Sequence, residues 1–372
     1  MEFICSKEEI QKSLSYAEGV VSSKTTLSIL SNVLIETGSN SLNISSTDLE
    51  VGFRTSIPAE VVSKGAITIQ AKKLSEIIKS FGHCNLKFLL DSQNRMTISS
   101  EDPKIKANFK IVGIPKDDYP NIPTFTEENI FTMNQNLLRE IIRKTIFSAS
   151  TDEARYFLNG IYFEKKGDWL ILVATDGKRL SFITNKLEDF KVDDFTVIVP
   201  LKVLNELLKI LKDDGNVQIS LTESKVFFKM NETELVSNLL EGQFPNYNQV
   251  IPKESTNVLK ITRVDIYEAI KRVSHMVDPK LAQIRFETSD GKLTLSGHHP
   301  DFGDAVDEVE AEYDGEALSI AFNYNYLLDA LKEVDRTEVF FKMTTNKSPV
   351  IIEGLDDESY FSVVMPMKLN EE

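Results

Sequence analysis

The sequence is poor in the residues that mark disulfide-rich, fibrous or disordered chains. Only two of its 372 residues are cysteines, Cys5 and Cys84, and they form no C-x-x-C pair. A disulfide framework or a zinc knuckle built on cysteine is therefore excluded, and the cysteine usage fits a reducing compartment. Glycine and proline number only 16 and 12, which excludes collagen-like and low-complexity chains.

Long apolar runs are also absent. No stretch approaches the roughly 18 residues of a membrane span, and the N-terminal MEFICSKEEIQ turns polar before a signal-peptide core can form. We therefore expect a soluble, cytoplasmic protein without membrane association. At about 150 residues per domain, the length predicts two or three domains.

Positive charge is in deficit, since 42 Lys and Arg face 57 Asp and Glu, for a net charge of −15. A uniformly acidic surface would not attract nucleic acid. The segments 72–81, 136–147 and 202–212, however, have helical periodicity and each carry three cations and one carboxylate. Helices lining one surface would present these cations to phosphates without reading bases. The cations are Lys72, Lys73, Lys79, Arg139, Arg143, Lys144, Lys202, Lys209 and Lys212. The alternative is that Lys and Arg simply favour solvated helix faces.

The chain repeats with a period of 128 residues. Apolar residues at helical spacing follow a strand-like segment near residues 5, 133 and 261, and each third contains a second helical pattern. The turn Thr47-Asp48 recurs as Thr175-Asp176. Short runs rich in Val, Ile, Phe and Thr fill the remainder and predict strands. We therefore predict an α+β fold of three repeated domains, 1–126, 127–255 and 256–372, each with two helices packed on antiparallel sheet.

Five segments carry a resemblance to a known family. They are RYFLNGIYFE at 155–164, VATDGKRLSF at 173–182, GQFPNYNQVIP at 242–252, FNYNYLLDAL at 322–331 and VVMPMKL at 363–369. Together they resemble the bacterial DNA polymerase sliding clamps, the beta subunits of DNA polymerase III, along the chain from Met1 to Leu369. The resemblance implies a processivity factor without catalysis or cofactor. It also implies a head-to-tail dimeric ring of DNA-clamp domains that encloses duplex DNA without sequence specificity, with helices inside.

The resemblance also assigns contacts to residues. Lys24, Tyr156 and Phe157 match positions that face DNA in the family. Phe109 and Ile111 on an edge strand would meet His275 and Met276 of a second copy, so we predict that charge substitution at Phe109 or Ile111 yields monomers.

A peptide pocket is the third site that the resemblance implies. It would bind short motifs from the replicative polymerase, the clamp-loader ATPase, repair polymerases and other partners. The matching positions are Leu158, Thr175, Gly177, Lys178, Arg179, Leu180, Pro245, Gln249, Val250, Asn323, Tyr326, Val363, Val364, Met365, Pro366 and Met367. Most are apolar and would hold hydrophobic anchors, while Arg179 and Asn323 would fix polar atoms of the peptide. Lys178, Gln249 and Leu281 stand where the family more often has His, Arg and Phe, which concerns peptide preference.

The alternatives to a clamp are a metal-dependent hydrolase and a monomeric scaffold. SGHHPDFGDAVDE places His298, His299, Asp301 and Asp304 within seven residues, and such side chains can bind zinc. Adjacent histidines on an extended chain point to opposite faces, however, and the Pro, Gly and Asp content is typical of a turn. We therefore expect no metal site and no catalytic residues.

Overall fold

A computed structural model of the chain describes residues 1–21, 27–187 and 192–369. Each third of this described chain contains two α-helices, as the repeat predicts. They are α1 Lys7–Val20, α2 Ala71–Lys79, α3 Gln135–Ile146, α4 Leu201–Ile210, α5 Arg263–Ser274 and α6 Tyr324–Glu333.

Strands make up most of the rest of the described chain. The first third contains β1 Glu2–Ser6, β2 Asn32–Thr37, β3 Ser41–Thr47, β4 Val51–Pro58, β5 Glu60–Ser63, β6 Ala66–Gln70, β7 Asn85–Leu90, β8 Arg95–Ser100 and β9 Asn108–Val112. The second contains β10 Ile130–Asn134, β11 Gly160–Lys166, β12 Trp169–Thr175, β13 Arg179–Lys186, β14 Phe195–Pro200, β15 Asn216–Leu221, β16 Lys225–Met230 and β17 Thr233–Asn238. The last contains β18 Asn257–Thr262, β19 Gln283–Ser289, β20 Lys292–His299, β21 Gly303–Glu310, β22 Glu312–Asp314, β23 Ser319–Asn323, β24 Glu338–Met343, β25 Val350–Gly354 and β26 Tyr360–Val364.

Every helix begins directly after a strand, and polar side chains mark several of these starts. The side-chain oxygens of Gln70, Asn134 and Asn323 accept hydrogen bonds from backbone N–H groups in the first turns of α2, α3 and α6. Because these N–H groups have no partner within the helix, the caps stabilise the strand-to-helix transition.

The helices bury the apolar faces that their periodicity predicts. In α1 the buried residues include Ile10, Leu14 and Ala17. Val20, the last residue of α1, is also buried, whereas Val21, which follows the helix, is partly exposed.

The described chain divides into two compact units, and the first comprises Met1–Arg139 and Lys202–Leu239. It contains a five-stranded sheet of order β5-β1-β7-β8-β9 and an eight-stranded sheet of order β10-β15-β16-β17-β4-β3-β2-β6. In the eight-stranded sheet, β4 of the first repeat pairs antiparallel with β17 of the second, with Phe53 opposite Leu235.

The second unit comprises Glu140–Leu201 and Leu240–Glu372. It contains a nine-stranded sheet of order β14-β11-β12-β13-β26-β25-β24-β18-β22 and a four-stranded sheet of order β21-β20-β19-β23. Here β13 of the second repeat pairs antiparallel with β26 of the third, with Leu180 opposite Val363. Consecutive repeats are thus joined by antiparallel strand pairs of the same kind. We call these four strands the joint strands, with β4 and β17 forming the first joint and β13 and β26 the second.

The segment between β9 and β10 packs on the first joint. Ile122 is buried with Phe227 and Val236, and Tyr119 and Phe125 pack against this cluster. A methyl group built on Gly52 of β4 would lie 2.5 Å from Cγ2 of Ile122 and 2.8 Å from Cγ1 of Val236. The joint therefore has no room for a side chain at Gly52.

We predict that Gly52→Ala lowers the thermal unfolding midpoint of the chain, because overpacking a filled core costs about 1–3 kcal/mol. Differential scanning calorimetry measures the midpoint. Gly82→Ala is the matched control, since no atom lies within 4 Å of a methyl group at Gly82. Equal midpoints for the two variants would contradict the packing argument.

Candidate partner cleft and cationic helices

The second joint forms an apolar floor beneath the predicted peptide pocket. Leu180 of β13 and Val363 of β26 are cross-strand neighbours, and both are buried in one cluster with Leu158, Val173 and Phe244. Residues that are distant in sequence therefore lie together in one buried cluster. We call this region, with its rim described below, the cleft.

A tight turn between β12 and β13 borders the cleft. The Thr175 hydroxyl donates to the carbonyl of Arg179 at 2.6 Å, and Asp176 Oδ1 accepts from the backbone N–H groups of Lys178 and Arg179 at 2.8 and 3.0 Å. Gly177 has a φ of +85°. These bonds fix the turn without involving the side chain of Lys178.

Arg179 is held by its own chain. Its Nε lies 3.1 Å from Asp176 Oδ2 and its Nη1 lies 2.6 Å from Asp329 Oδ2. The guanidinium also stands 4.6 Å from the ring centroid of Tyr326, a cation–π distance. We infer that Arg179 positions Tyr326 and the turn, rather than offering a free charge to a peptide.

Arg155 also borders the cleft, and the predicted pocket did not include it. Its Nη1 donates to the carbonyl of Asp176 at 3.0 Å, and its Nε lies 3.2 Å from Asp152 Oδ2. The pKa of Asp152 is lowered, chiefly by the hydrogen bond from the backbone N–H of Ala154 and next by the bond from the Arg155 side chain. A methyl group on Gly177 would lie 3.0 Å from Nη1 of Arg155. The only sequence signal was its place in the RYFLNG segment.

Exposed residues form the rim of the cleft. Pro245, Gln249, Val250 and Met365 are exposed, and the N–H of Met365 donates to the carbonyl of Lys178 at 2.9 Å. Two residues further along the chain, Met367 forms an isolated antiparallel β-bridge with Ala321. Four other predicted members, Thr175, Asn323, Tyr326 and Pro366, are partly exposed, whereas Val364 is buried. The side-chain oxygen of Asn323 accepts the hydrogen bond that caps α6.

Most of the predicted DNA-facing cations are already paired within the chain. Lys73 pairs with Glu76, Lys79 with Glu18, Arg139 with Asp213, Arg143 with Glu333, Lys202 with Asp48 and Lys209 with Glu206. Within the described residues, Lys72 and Lys212 have no ion pair. Tyr156 is exposed and Phe157 partly exposed, their rings 5.9 Å apart. Lys24 lies outside the described residues.

Lys144 does not fit the expected role. Its side chain is only 6% exposed, with Nζ 2.8 Å from both Glu140 Oε1 and Asp335 Oδ2. Burial disfavours its charge, but the bonds to Asp335 and Glu140 prevail and raise the pKa of Lys144. A buried, doubly paired ammonium cannot contact phosphate, so we drop Lys144 from the DNA-facing set.

The His-rich segment forms a hairpin and not a ligand cluster. His298 Nδ1 lies 2.7 Å from Asp304 Oδ1, and the backbone N–H of Asp301 donates to His299 Nδ1. Nowhere in residues 1–21, 27–187 and 192–369 are three or more His, Cys, Asp or Glu side chains grouped to hold a metal ion. No helix among these residues is long and apolar enough to cross a membrane.

The threefold repeat and its strand-paired joints are those of the class of DNA-clamp proteins. Models of three domains of the DNA polymerase III beta subunit match the chain: the N-terminal domain at 1–123, the central domain at 132–246 and the C-terminal domain at 248–368. The chain therefore belongs to the DNA polymerase III beta subunit family. Its function is that of a processivity clamp, and it is not an enzyme.

Full-length relatives agree. The beta sliding clamp of Treponema pallidum is 33% identical over 372 residues, covering 99% of this chain and 100% of the relative. That of Pseudomonas aeruginosa is 32% identical over 371 residues with the same coverage. The crystal structure of the Bacillus subtilis sliding clamp superposes with a TM-score of 0.94 at 28% identity, covering both chains completely.

Proposed function

We propose that two copies of this chain close head to tail into a ring around duplex DNA. The observation that carries the proposal is the arrangement of the joints. In the 128-residue repeat, β21 occupies the place of β4 and β13, and β9 occupies the place of β17 and β26. Yet β9 and β21 are each the last strand of a sheet. An unpaired edge is a ready template for another strand.

The side chains of these two edges complement each other. Val112 of β9 and Val306 of β21 are 71% and 66% exposed, so each edge offers an apolar side chain to a pairing strand. Lys104, Lys106 and Lys110 lie on or before β9, whereas β21 carries Asp304, Asp307, Glu308 and Glu310. Opposite charges favour pairing of β9 with β21 over self-pairing of either edge.

The other predicted interface residues lie beside these strands. Phe109 and Ile111 are partly exposed on β9, and the Phe109 ring meets Phe81 edge to face at 5.5 Å. His275 is exposed and Met276 partly exposed just after α5. The methyl carbon of Met276 lies 3.9 Å from where a Cβ of Gly303, the first residue of β21, would stand. His275 and Met276 can therefore contact the β9 strand of a second copy.

We infer that the clamp attracts duplex DNA through its helices without reading sequence. The proposed contacts are Lys24, Lys72, Lys73, Lys79, Arg139, Arg143, Tyr156, Phe157, Lys202, Lys209 and Lys212. Phosphate attraction is independent of base identity, so a closed ring would move along DNA while held by enclosure. A protein acting on chromosomal DNA would work in the cytoplasm.

The cleft is proposed to bind short linear motifs. Its exposed Val250 and Met365, supported by the buried cluster of Leu158, Leu180 and Val363, offer anchorage to apolar side chains. The proposed partners are the replicative polymerase, the clamp-loader ATPase, repair polymerases and other proteins with such motifs.

We predict that Ile111→Asp yields monomers, because a carboxylate on β9 would face the acidic β21 of the second copy. Sedimentation equilibrium at micromolar concentration measures the mass. Val62→Asp is the matched control, since Val62 lies exposed on β5, the opposite edge of the same sheet, and should leave the dimer intact. A stable dimer of Ile111→Asp would refute the proposed edge pairing.

We expect the wild-type clamp, loaded on nicked circular DNA by a clamp loader, to be retained until the circle is cut. Cutting creates free ends from which a ring slides off, and gel filtration with labelled protein detects the loss. Ile111→Asp should not be retained on either form. Retention on linear DNA equal to that on circles would rule out topological enclosure.

We predict that Gly177→Ala weakens binding of a fluorescent peptide with two apolar anchors severalfold, because the added methyl would crowd Nη1 of Arg155 and shift the guanidinium that donates to the turn. Fluorescence anisotropy measures the dissociation constant. Gly167→Ala is the control, since its φ is also positive, at +58°, but nothing lies within 4 Å of a methyl group there. The proposal for the cleft fails if both variants bind the peptide like the wild type.

A further inference from the structure

Three cations border the cleft, and the chain neutralises two of them. Arg179 is bound by Asp176 and Asp329, and Arg155 by Asp152 and the carbonyl of Asp176. Each of these guanidinium groups holds the turn in place. Their charge is therefore largely committed inside the protein before any partner arrives.

Lys178 differs from both. Its side chain is exposed, and in the part of the chain that the structure describes no carboxylate oxygen lies within 4 Å of its ammonium nitrogen. Its backbone is fixed at both ends, because its N–H donates to Asp176 Oδ1 at 2.8 Å and its carbonyl accepts from Met365 at 2.9 Å. The backbone of Lys178 is thus held in place at the rim, while its ammonium group has no ion pair within the described residues.

The surroundings make this charge selective. The carboxylates nearest in the turn and in α6, Asp176 and Asp329, already serve Arg179. The chain as a whole is acidic, at −15, and repels acidic ligands at long range. Within the described residues the Lys178 ammonium is therefore a positive charge at the rim without a carboxylate partner, next to Met365 and two residues from the floor residue Leu180.

We propose that Lys178 selects, among peptides with apolar anchors, those that carry an aspartate or glutamate beside an anchor. The inference rests on the proposed peptide-binding function of the cleft. The exposed apolar residues of the cleft supply affinity to any such peptide, and the ammonium discriminates between peptides by charge. Because the pair would remain exposed to water, it is worth about a two- to fivefold difference in affinity.

The test compares peptides that are identical except for one residue. A labelled five-residue peptide with two apolar anchors is made with Asp or Asn at each other position in turn, and anisotropy gives the dissociation constants. For the wild type we expect Asp to bind about two- to fivefold tighter than Asn at one position or more. The ratio should shrink between about 0.1 M and about 1 M salt, as the Debye length falls from about 10 Å to about 3 Å.

Substitutions assign the effect to Lys178. Lys178→Gln should abolish the preference for Asp, and Lys178→Glu should reverse it, while both still bind the Asn peptides. Lys347→Gln is the control, because Lys347 is equally exposed and unpaired in a loop before β25, and it should keep the wild-type ratio.

The outcomes separate the two levels of the proposal. If no peptide binds the wild type at all, the peptide-binding function of the cleft itself is wrong. If all peptides bind but Asp and Asn are equivalent at every position, the cleft stands and the role of Lys178 is overturned. The same role is overturned if Lys178→Gln keeps the wild-type preference.

Discussion

Backbone hydrogen bonding between strands of successive repeats is the interaction on which the rest of the structure depends. It places β4 beside β17 and β13 beside β26, so each joint is an uninterrupted part of a sheet and not a contact between finished domains. The same rule leaves β9 and β21 at sheet edges. A chain that joins its repeats by strand pairing must therefore cover, charge or pair its two terminal edges.

The joint strands also form the floor of the candidate site. Strand pairing brings Leu180 opposite Val363, and the side chains of that pair become the floor of the cleft. The turn that precedes β13 and the tail that follows β26 then meet at the backbone bond between Met365 and Lys178. The cleft is thus a consequence of how the repeats are joined.

Electrostatics divides into charges that hold the fold and charges that remain available. Most cations of the helices are matched by carboxylates of the same chain, and Lys144 is buried with two of them. Such pairing lowers the attraction to phosphate without abolishing it, since exposed ion pairs are weak and readily exchanged. Weak, sequence-independent attraction suits a protein that must move along DNA.

The sequence predicted the elements better than the side-chain pairing. The 128-residue period and the apolar spacing correctly indicated two helices and short strands in each third, because both depend on local periodicity. The side chains that pair with Arg179, Arg155 and Lys144 can lie far away in the sequence. Asp335, which pairs with Lys144, is about 190 residues away. No spacing rule reports such contacts, so Lys144 was expected to be exposed to DNA although it is buried, and Arg155 was missed.

The turns that follow Thr47 and Thr175 repeat each other except at one position, where the cleft imposes its own contact. Thr47 and Asp48 make the same side-chain bonds to their turn as Thr175 and Asp176 do. Leu49 adopts a φ of +81° where Gly177 has +85°. Because a leucine occupies this conformation, at a cost of about 1–2 kcal/mol, the backbone alone does not demand glycine at 177. A methyl group at 177 would in addition lie 3.0 Å from Nη1 of Arg155, a contact that belongs to the cleft and not to the repeated turn.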